Sequence, residues 1–304
     1  PTLGGGKMNQ AAQEDLVERI EIDGMTYLRY LPIQVNVALL KGSKADEEGN
    51  ISLDEEPANV DIFAMAAAAH NSGGKVIFQV REKVRKGELG ARQVRVPSAL
   101  VDVIVVDPDQ RQGYELIYDP SISGEQQDAE YQSEKPAFSV RLAIARRARL
   151  ELFKGAVINF GFGIPDQVAA SIAQSGESED YYQTIEHGTY GGNLLTGNLF
   201  GYAKNPTCMI DGPSQFDFYS GGGLDIAFLG FGQIDQEVNV NVSKLDGVTV
   251  GPGGFIDIAQ NAKKVLFCGT FDTKGTKLKT GNGELKIEKP GEIRKLVQKV
   301  DQIT

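Results

Sequence analysis

The chain has 304 residues, 41% of them apolar and 24% charged, and its 41 acidic and 31 basic side chains give a formal net charge of −10. This composition is typical of a globular protein of about two domains. It argues against nucleic acid as a partner, because polyphosphates bind basic surfaces, and no run of about 18 apolar residues predicts a membrane span. Cys208 and Cys268 lie in or beside apolar segments, so we expect buried, reduced thiols in a cytoplasmic protein.

Residues 1–10 are rich in glycine and predict a loop, because they lack the apolar core of a signal peptide. An internal repeat organises the rest of the chain. Residues 36–52 align with residues 225–241 at a constant offset of 189 positions. The identical pairs are Ala38/Ala227, Leu40/Leu229, Asp46/Asp235, Glu48/Glu237 and Asn50/Asn239. In the same register, the sequence KVIF at residues 75–78 falls on KVLF. Two matching blocks in one register predict duplication of a domain.

The repeat predicts two related domains, the first of them truncated. The first copy has only 35 residues before Asn36, too few for the elements that precede Asp225 in the second copy. We therefore expect the chain to begin inside the first domain, which spans residues 1–107. Residues 108–137 are polar and rich in Gly, Pro, Ser and Gln, and they predict a linker across the surface. The second domain is expected at residues 138–304.

The second domain shows strands that alternate with helices. Residues 138–153 place apolar side chains at helical spacing and predict an amphipathic helix whose Arg residues face solvent. Further helices are expected at residues 164–174 and 253–262, and short strands at 156–161, 181–186, 207–211, 224–230, 238–243 and 263–269. This alternation indicates an open α/β fold with a largely parallel sheet, in which ligands bind beyond the carboxyl ends of the strands.

The first of two glycine-rich loops contains Gly161, Phe162 and Gly163, between a strand and a helix. It resembles the start of a dinucleotide fingerprint, but Asp166 replaces the third glycine, so a nicotinamide site is disfavoured. Two interpretations stay open. The loop is either a tight turn that needs positive φ angles, or a phosphate or pantetheine contact at a helix N-terminus.

The second loop contains Gly253 and Gly254, whose exposed backbone N–H groups suit an oxyanion hole. The repeat provides an internal control, because the matching residues of the first copy are Ala64 and Met65. The scaffold accepts side chains at this position, so the fold alone does not demand the two glycines, and a functional role is favoured.

Glu186 is the candidate catalytic carboxylate. It ends a strand and is followed by Gly188, Gly191 and Gly192, which we expect to leave space around it. The carboxylate can act as a general base or a nucleophile; the alternative is a solvated loop residue. No second carboxylate completes a glycosidase pair, and no Gly-x-Ser-x-Gly motif is present. We expect the adjacent His187 to have a structural or ligand-shaping role and not to activate Glu186.

Taken in order, six segments resemble the class I coenzyme A transferases, and among them the single-chain acetate/propionate (short-chain acyl) type. They are NFGFGIPDQVA, TIEHGTYGG, QFDFYSGGGLDIAFLG, VNVNVS, VGPGGFIDI and NAKKVLFCGTF. The resemblance covers nearly the whole chain and implies two related open α/β domains. The heterodimeric ketoacid branch carries Ser-Glu-Asn-Gly where this chain has Ile185-Glu186-His187-Gly188. That departure favours the single-chain branch and leaves the acyl preference open.

The resemblance implies that Glu186, in the Glu-x-Gly motif, is the nucleophile. The family's Gly-x-Gly-Gly loop maps onto Gly251, Gly253 and Gly254, with the last two as donors to a charged carbonyl oxygen. Its Asn-x-Asn strand maps onto Asn239 and Asn241, expected near bound CoA. Beside these, our candidates for CoA contacts are Gly161, Gly163 and Lys274. For Lys274, in the loop after the last strand, the alternative is an ordinary surface lysine.

The implied activity is transfer of CoA from a short-chain acyl-CoA to an acetate-type carboxylic acid, in a ping-pong mechanism through a glutamyl-CoA thioester on Glu186. CoA is then a substrate, and neither a metal nor another cofactor is expected. The expected partners are acyl-CoA, small carboxylic acids and further copies of the chain in a homo-oligomer, without nucleic acid or membrane. Two alternatives stay open, namely hydrolysis of acyl-CoA on the same fold and a non-catalytic ligand-binding module.

Overall fold

The computed structural model describes residues 15–132 and 137–304, so the loop predicted at residues 1–10 lies outside the described part. Contacts divide the chain into two compact units. The smaller unit contains the residues up to Ile33, Gly230–Ile256 and Phe267–Thr304, and the larger unit contains Gln34–Leu229 and Asp257–Leu266. The larger unit therefore includes the linker and parts of both domains expected from the sequence, and the boundaries at residues 107 and 138 stay a prediction.

The described chain begins with an antiparallel hairpin of the smaller unit, β1 (Val17–Ile22) and β2 (Met25–Tyr30). Asp23 and Gly24 connect the strands with φ angles of 52° and 78°. Two positive φ angles in a two-residue connection match the twist of the flanking strands, and Asp-Gly is a preferred sequence for such a turn.

The first copy of the repeat forms two small sheets and one helix. Its elements are β3 (Val37–Lys41), β4 (Lys44–Asp46), β5 (Ile51–Ser52), α1 (Ile62–Asn71), β6 (Lys75–Val80), β7 (Glu82–Val84), β8 (Val94–Val96) and β9 (Val103–Val106). Strands β3, β6 and β9 are parallel, in that order, and the others form a sheet in the order β7-β4-β5-β8. Helix α1 buries Ala66 and Ala69 in one core with Val76, Phe78 and Val80 of the parallel sheet.

The segment predicted as a linker is hydrogen-bonded to the first copy. Gln110 and Gln112 are buried, and their side-chain amides donate to the carbonyl oxygens of Gly42 and Glu55 at 2.8 and 2.9 Å. Lys41 Nζ donates to the Gln112 carbonyl oxygen at 2.8 Å. A polar composition does not exclude burial, because glutamine side chains can satisfy the backbone groups of a neighbouring segment.

The second copy supplies the largest sheet. The remaining elements are α2 (Val140–Arg149), β10 (Val157–Phe160), α3 (Asp166–Gln174), β11 (Tyr182–Ile185), β12 (Thr189–Tyr190), β13 (Asn193–Leu194), β14 (Ala203–Lys204), β15 (Cys208–Met209), α4 (Gly212–Phe218), β16 (Ile226–Leu229), β17 (Gln233–Ile234), β18 (Val240–Asn241), β19 (Lys244–Leu245), β20 (Val248–Thr249), α5 (Phe255–Asn261), β21 (Lys264–Phe267), β22 (Asp272–Thr273), β23 (Lys277–Gly281), β24 (Glu284–Lys289) and β25 (Ile293–Arg294). Six strands form one sheet in the order β15-β12-β11-β10-β16-β21. The short strands pair as β13/β14, β17/β18, β19/β20, β22/β25 and β23/β24.

The expected α/β fold class is confirmed. Helix α2 begins after Ser139, whose hydroxyl oxygen accepts from the Leu142 N–H at 3.2 Å, and it packs on α3. Strand β10 is parallel to β11 and β16, whereas β12 is antiparallel to both of its neighbours, so the sheet is mixed. Helix α4 was not expected from the sequence. Pro213 in its first turn is the signal that could have shown it.

Two further expectations concern membranes and thiols. No helix among the described residues is long and apolar enough to cross a membrane. Cys268 is buried, and burial raises the pKa of its thiol to about 11. Cys208 is exposed, so the expectation of a buried thiol is wrong there. The reason is that β15 lies at the edge of the six-stranded sheet.

The duplication is visible in one loop of each copy. Asp46 accepts hydrogen bonds from the backbone N–H groups two and four residues ahead and from the Asn50 side chain, all at 2.9 Å. Asp235 accepts the same three bonds, at 3.0, 3.0 and 3.1 Å, the last from Asn239. Identical residues therefore make identical contacts in both copies, which supports the repeat.

Candidate active site

The carboxyl ends of β10 and β11 lie side by side. The two strands are parallel, and Asn159 pairs with Thr184 in their register. Two residues further along each strand, Gly161 and Glu186 therefore leave the sheet at adjacent positions. The first glycine loop and the candidate carboxylate thus share one edge of one sheet, the edge at which α/β proteins bind ligands.

A tight turn carries Glu186. Ile185 pairs with Thr189 across the turn, and the Gly188 N–H donates to the Ile185 carbonyl oxygen at 2.9 Å. Gly188 has a φ angle of +109°, and a Cβ atom on it would lie 2.1 Å from the Ile210 carbonyl oxygen. The glycine of the Glu-x-Gly motif is therefore required by its own backbone conformation and by the close approach of the segment that follows β15.

The glycines that follow Glu186 do not serve the purpose expected from the sequence. A Cβ atom on Gly191 would lie 2.6 Å from the Thr207 side chain, and one on Gly192 would lie 2.3 Å from the Lys204 carbonyl oxygen. They allow neighbouring strands to approach closely and do not clear space around the carboxylate. The expectation was wrong because the sequence does not show which surface a glycine faces.

Glu186 is a partly buried carboxylate, and burial raises its pKa above the ordinary value. No charged or hydrogen-bonding group of the described residues contributes to this shift, so desolvation is its whole cause. A desolvated carboxylate without a partner is a less stable anion and gains more by bonding to an electrophile. A carboxylate perturbed in this way at a ligand-binding edge is a candidate for catalysis.

His187 is directed to a neighbouring loop. Its Nε2 atom hydrogen-bonds to the Gly201 carbonyl oxygen. A carbonyl oxygen can only accept, so Nε2 carries the proton, and Nδ1 has no hydrogen-bond partner among the described residues. Burial lowers the pKa of the imidazole, which favours its neutral form. His187 therefore fastens the loop at Gly201, which is a structural role.

Asp166 organises the first glycine loop. The Gly161 N–H donates to the Phe228 carbonyl oxygen at 2.8 Å, and the Gly163 N–H, at a φ angle of +95°, donates to Asp166 Oδ2 at 3.3 Å. Asp166 is buried in the first turn of α3, and this burial raises its pKa. The loop is thus a tight turn stabilised by the residue that replaces the third glycine. Contact of Gly161 and Gly163 with CoA stays a prediction.

Sequence analysis missed a buried polar cluster beneath this edge. Thr184 Oγ1 donates to the Ile158 carbonyl oxygen at 2.7 Å, so the Tyr219 hydroxyl donates to Thr184 Oγ1, at 2.5 Å. Asn159 Nδ2 donates to the same Tyr219 oxygen at 3.2 Å. Tyr219 is fully buried, which raises its pKa to about 12. The cluster ties the end of α4 to both strands of the site. Asn159, the only polar side chain in β10, was the available signal.

The second glycine loop lies in the smaller unit and is not helical, whereas the corresponding segment of the first copy is part of helix α1. Gly251 and Gly253 have φ angles of +82° and +55°, and α5 begins only at Phe255. In the first copy, α1 already begins at Ile62, the counterpart of Gly251. The Cβ position of Gly253 faces open space. The roles of Gly253 and Gly254 as oxyanion donors stay a prediction.

The Asn-x-Asn side chains are engaged within the smaller unit. Asn239 donates to Asp235, as described above. Asn241 is fully buried and donates to Gln233 Oε1 at 2.8 Å and to the Lys244 carbonyl oxygen at 2.7 Å. Both amide donors of Asn241 are therefore used to shape this turn, and a role of either residue in CoA binding stays a prediction.

Lys274 is exposed, with a φ angle of +70°. None of the ion pairs in the described part of the chain includes it. Both interpretations, a cation for CoA phosphate and a surface lysine, stay open. Within residues 15–132 and 137–304, no group of three or more His, Cys, Asp or Glu could hold a metal ion.

The structure brings Glu186, Gly161 and Gly163 together at one edge of a sheet in the larger unit. The other residues singled out from the sequence belong to the smaller unit, namely Asn239, Asn241, Gly251, Gly253, Gly254 and Lys274.

The known proteins to which this chain is similar include coenzyme A transferases. The family model for coenzyme A transferase matches residues 4–107. Over all of its length, the chain is 38% identical to the acetate CoA-transferase YdiF of Escherichia coli O157:H7 and 40% identical to the caffeate CoA-transferase of Acetobacterium woodii, of which it covers 57% and 59%. A crystal structure of the YdiF acyl-CoA transferase from E. coli O157:H7, in a thioester complex with CoA, matches 97% of the chain with a TM-score of 0.87 and 38% identity, and the chain covers 55% of it. The chain thus spans little more than half the length of these relatives.

Proposed function

Because the chain belongs to the coenzyme A transferase family, we propose that the protein transfers CoA from an acyl-CoA to a carboxylic acid, with Glu186 as the nucleophile. One observation carries this proposal. Glu186 leaves the sheet at its carboxyl edge, in a turn that only glycine at position 188 can close, and its carboxylate is desolvated without a charged partner among the described residues. Desolvation destabilises the anion and so favours its conversion into a neutral acyl derivative.

The proposed chemistry exchanges one acyl bond for another at each step. A carboxylate oxygen of Glu186 attacks the thioester carbonyl carbon, so that a mixed anhydride forms and the CoA thiolate leaves. The thiolate then attacks the glutamyl carbonyl carbon, giving an enzyme–CoA thioester and releasing the first acid. A second carboxylate then attacks the glutamyl carbonyl carbon, so that the CoA thiolate leaves and a new mixed anhydride forms. The thiolate attacks the acyl carbon of this anhydride, which gives the new acyl-CoA thioester and regenerates the Glu186 carboxylate.

Each step places negative charge on a carbonyl oxygen, and backbone N–H donors stabilise such charge effectively. Gly253 and Gly254 are the proposed donors. The family resemblance and the exposed, non-helical backbone of their loop support this role. We also propose that Gly161, Gly163, Gly251 and Lys274 contact CoA and that Asn239 and Asn241 shape the loop near it. CoA is the substrate, without a further cofactor.

The substrates proposed are a short-chain acyl-CoA and an acetate-type acid, and the relatives named for acetate and caffeate support a carboxylic acid as acceptor. We further propose a homo-oligomer in the cytoplasm.

The direct test measures propionyl-CoA formed from acetyl-CoA and propionate by the full-length protein. We expect Glu186→Gln to lower the rate by at least about 10⁴-fold, as for loss of a nucleophile. The matched control is Glu179→Gln, because Glu179 is exposed and precedes β11 at the opposite end of that strand. Its rate should be that of the wild type. Release of CoA that does not depend on propionate would favour hydrolysis, and binding of acetyl-CoA without turnover would favour a ligand-binding module.

A further inference from the structure

An aromatic pair lies at the sheet edge where the chain leaves β10. The rings of Phe162 and Phe200 meet edge to face, with centroids 5.2 Å apart and an interplanar angle of 76°. Phe162 is nevertheless 67% exposed. The two rings together form an apolar surface at the carboxyl edge of the sheet, the edge at which α/β proteins bind ligands.

Two independent constraints place this pair next to the nucleophile. The register of β10 and β11 puts Gly161 beside Glu186, and Phe162 is the next residue. The hydrogen bond from His187, the residue after Glu186, ends on the carbonyl oxygen of Gly201, and Phe200 is the residue before it. Phe162 therefore follows the residue that leaves the sheet next to Glu186, and Phe200 precedes the residue that accepts a hydrogen bond from His187.

The loop that carries Phe200 has a defined shape of its own. It closes the β13–β14 hairpin, in which Leu194 pairs with Ala203. Inside it, the Leu195 N–H donates to the Tyr202 carbonyl oxygen at 2.9 Å, and the Phe200 N–H donates to the Gly197 carbonyl oxygen at 3.1 Å. The loop is therefore a folded unit that His187 fastens to the turn of Glu186.

We propose that Phe162 and Phe200 contact the acyl group of the donor, so that longer apolar acyl chains are favoured over acetyl. His187 acts as a positioning residue that holds Phe200 in place. This inference rests on the proposed function and adds its substrate class. Burial of each methylene against the rings should raise kcat/KM by about fourfold over a donor that lacks it.

The test compares kcat/KM for acetyl-, butyryl- and hexanoyl-CoA, with acetate or propionate as acceptor, in the full-length protein. We expect kcat/KM to rise along this series. In Phe162→Ala the ratio of kcat/KM for hexanoyl-CoA to that for acetyl-CoA should fall at least about tenfold, because two or more methylenes of the hexanoyl chain lose their contact with the ring. Phe162→Leu keeps an apolar side chain and should give an intermediate ratio. Phe153→Ala is the matched control, because Phe153 is 54% exposed and precedes β10 at its other end; its ratio should not change.

His187→Ala should lower the same ratio, mainly through a higher KM for hexanoyl-CoA, and His187→Gln should restore it, because glutamine keeps an N–H donor at a similar reach. An unchanged ratio in Phe162→Ala, or an equal loss for all three donors, would overturn the inference while leaving the transfer reaction intact. Absence of CoA transfer with every donor in the wild type would instead refute the proposed function.

Discussion

The two copies of the repeat place the same strand in opposite environments. Leu39 in β3 is 75% exposed, whereas its counterpart Phe228 in β16 is fully buried. Val37 and Ile226 differ in the same way. The two strands have similar apolar sequences, so the difference does not arise in the strands themselves.

The covering of the sheet faces accounts for the difference. All four residues of β16 are buried, and Phe228 pairs with Phe160 of β10 and stacks on it, with ring centroids 5.7 Å apart. In β3 only the face with Ala38 and Leu40, on which α1 packs, is buried, and the face with Leu39 is open in the described part of the chain. The comparison shows that an apolar strand pattern determines which side chains can be buried, while the neighbouring elements determine which are.

The largest difference is expected when the paired positions are truncated in the 304-residue chain. Phe228→Ala removes a fully buried ring and should cost about 3–5 kcal/mol of unfolding free energy. Leu39→Ala removes an exposed side chain and should change it by less than about 0.5 kcal/mol. Urea unfolding followed by circular dichroism measures both. A similar cost at the two positions would show that Leu39 is covered in solution and would break the comparison.

At a second pair of positions, the glycine and the larger side chain have changed places between the copies. Gly42 and Val80 correspond to Phe231 and Gly269. A Cβ atom on Gly269 would lie 2.3 Å from the Phe231 ring. We expect Gly269→Val to cost about 1–3 kcal/mol by overpacking. In the Phe231→Gly background the same substitution should cost less, with a coupling energy of at least about 0.5 kcal/mol in a double-mutant cycle. Additive effects would contradict the exchange.

At the glycine loop, opposite substitutions in the two copies should both have a smaller, destabilising effect. Gly253→Ala places a side chain at a φ angle of +55° and should cost about 1–2 kcal/mol, because L-residues are strained there. Ala64→Gly loosens an exposed position of α1 and should cost about 1 kcal/mol through backbone entropy. Thermal unfolding of both variants checks these values. If Gly253→Ala stabilised the protein, the loop would not have the described backbone.

The smallest difference should be at the shared loop, where the copies are alike. Burial alone would raise the pKa values of Asp46 and Asp235, but the hydrogen bonds that they accept, chiefly from Asn50 and Asn239, hold both pKa values below the ordinary one. Their stabilising effect is therefore complete above the unfolded pKa and is lost as the pH falls through the lower folded pKa. Asp46→Ala and Asp235→Ala should lower the urea midpoint by similar amounts at pH 7 and by less at pH 3. Unequal effects would weaken the structural equivalence of the copies.

Much of the fold could be predicted because its elements have clear local patterns. The apolar strands 156–161 and 224–230 and the amphipathic helix 138–153 appear within a few residues of their predicted bounds. Helix α4 was missed because its apolar pattern is short, and the burial of Gln110 was missed because it depends on partners elsewhere in the sequence.

The candidate site was predictable in part. The position of Glu186 at the end of β11 could be predicted from the sequence. The requirement for glycine at position 188 could not, because it depends on the close approach of the Ile210 carbonyl oxygen. Phe200 and Tyr219 were missed for the same kind of reason. Both reach the site through contacts between segments distant in sequence, Phe200 with Phe162 and Tyr219 with Thr184.

Covalent catalysis at Glu186 is tested by the intact mass of the full-length protein after incubation with acetyl-CoA in the absence of an acceptor acid. We expect a gain of one CoA less one water, which disappears on borohydride treatment and is absent in Glu186→Ala. An adduct of the same mass in Glu186→Ala, or no adduct in a wild-type protein that turns over acetyl-CoA, would contradict covalent catalysis at Glu186.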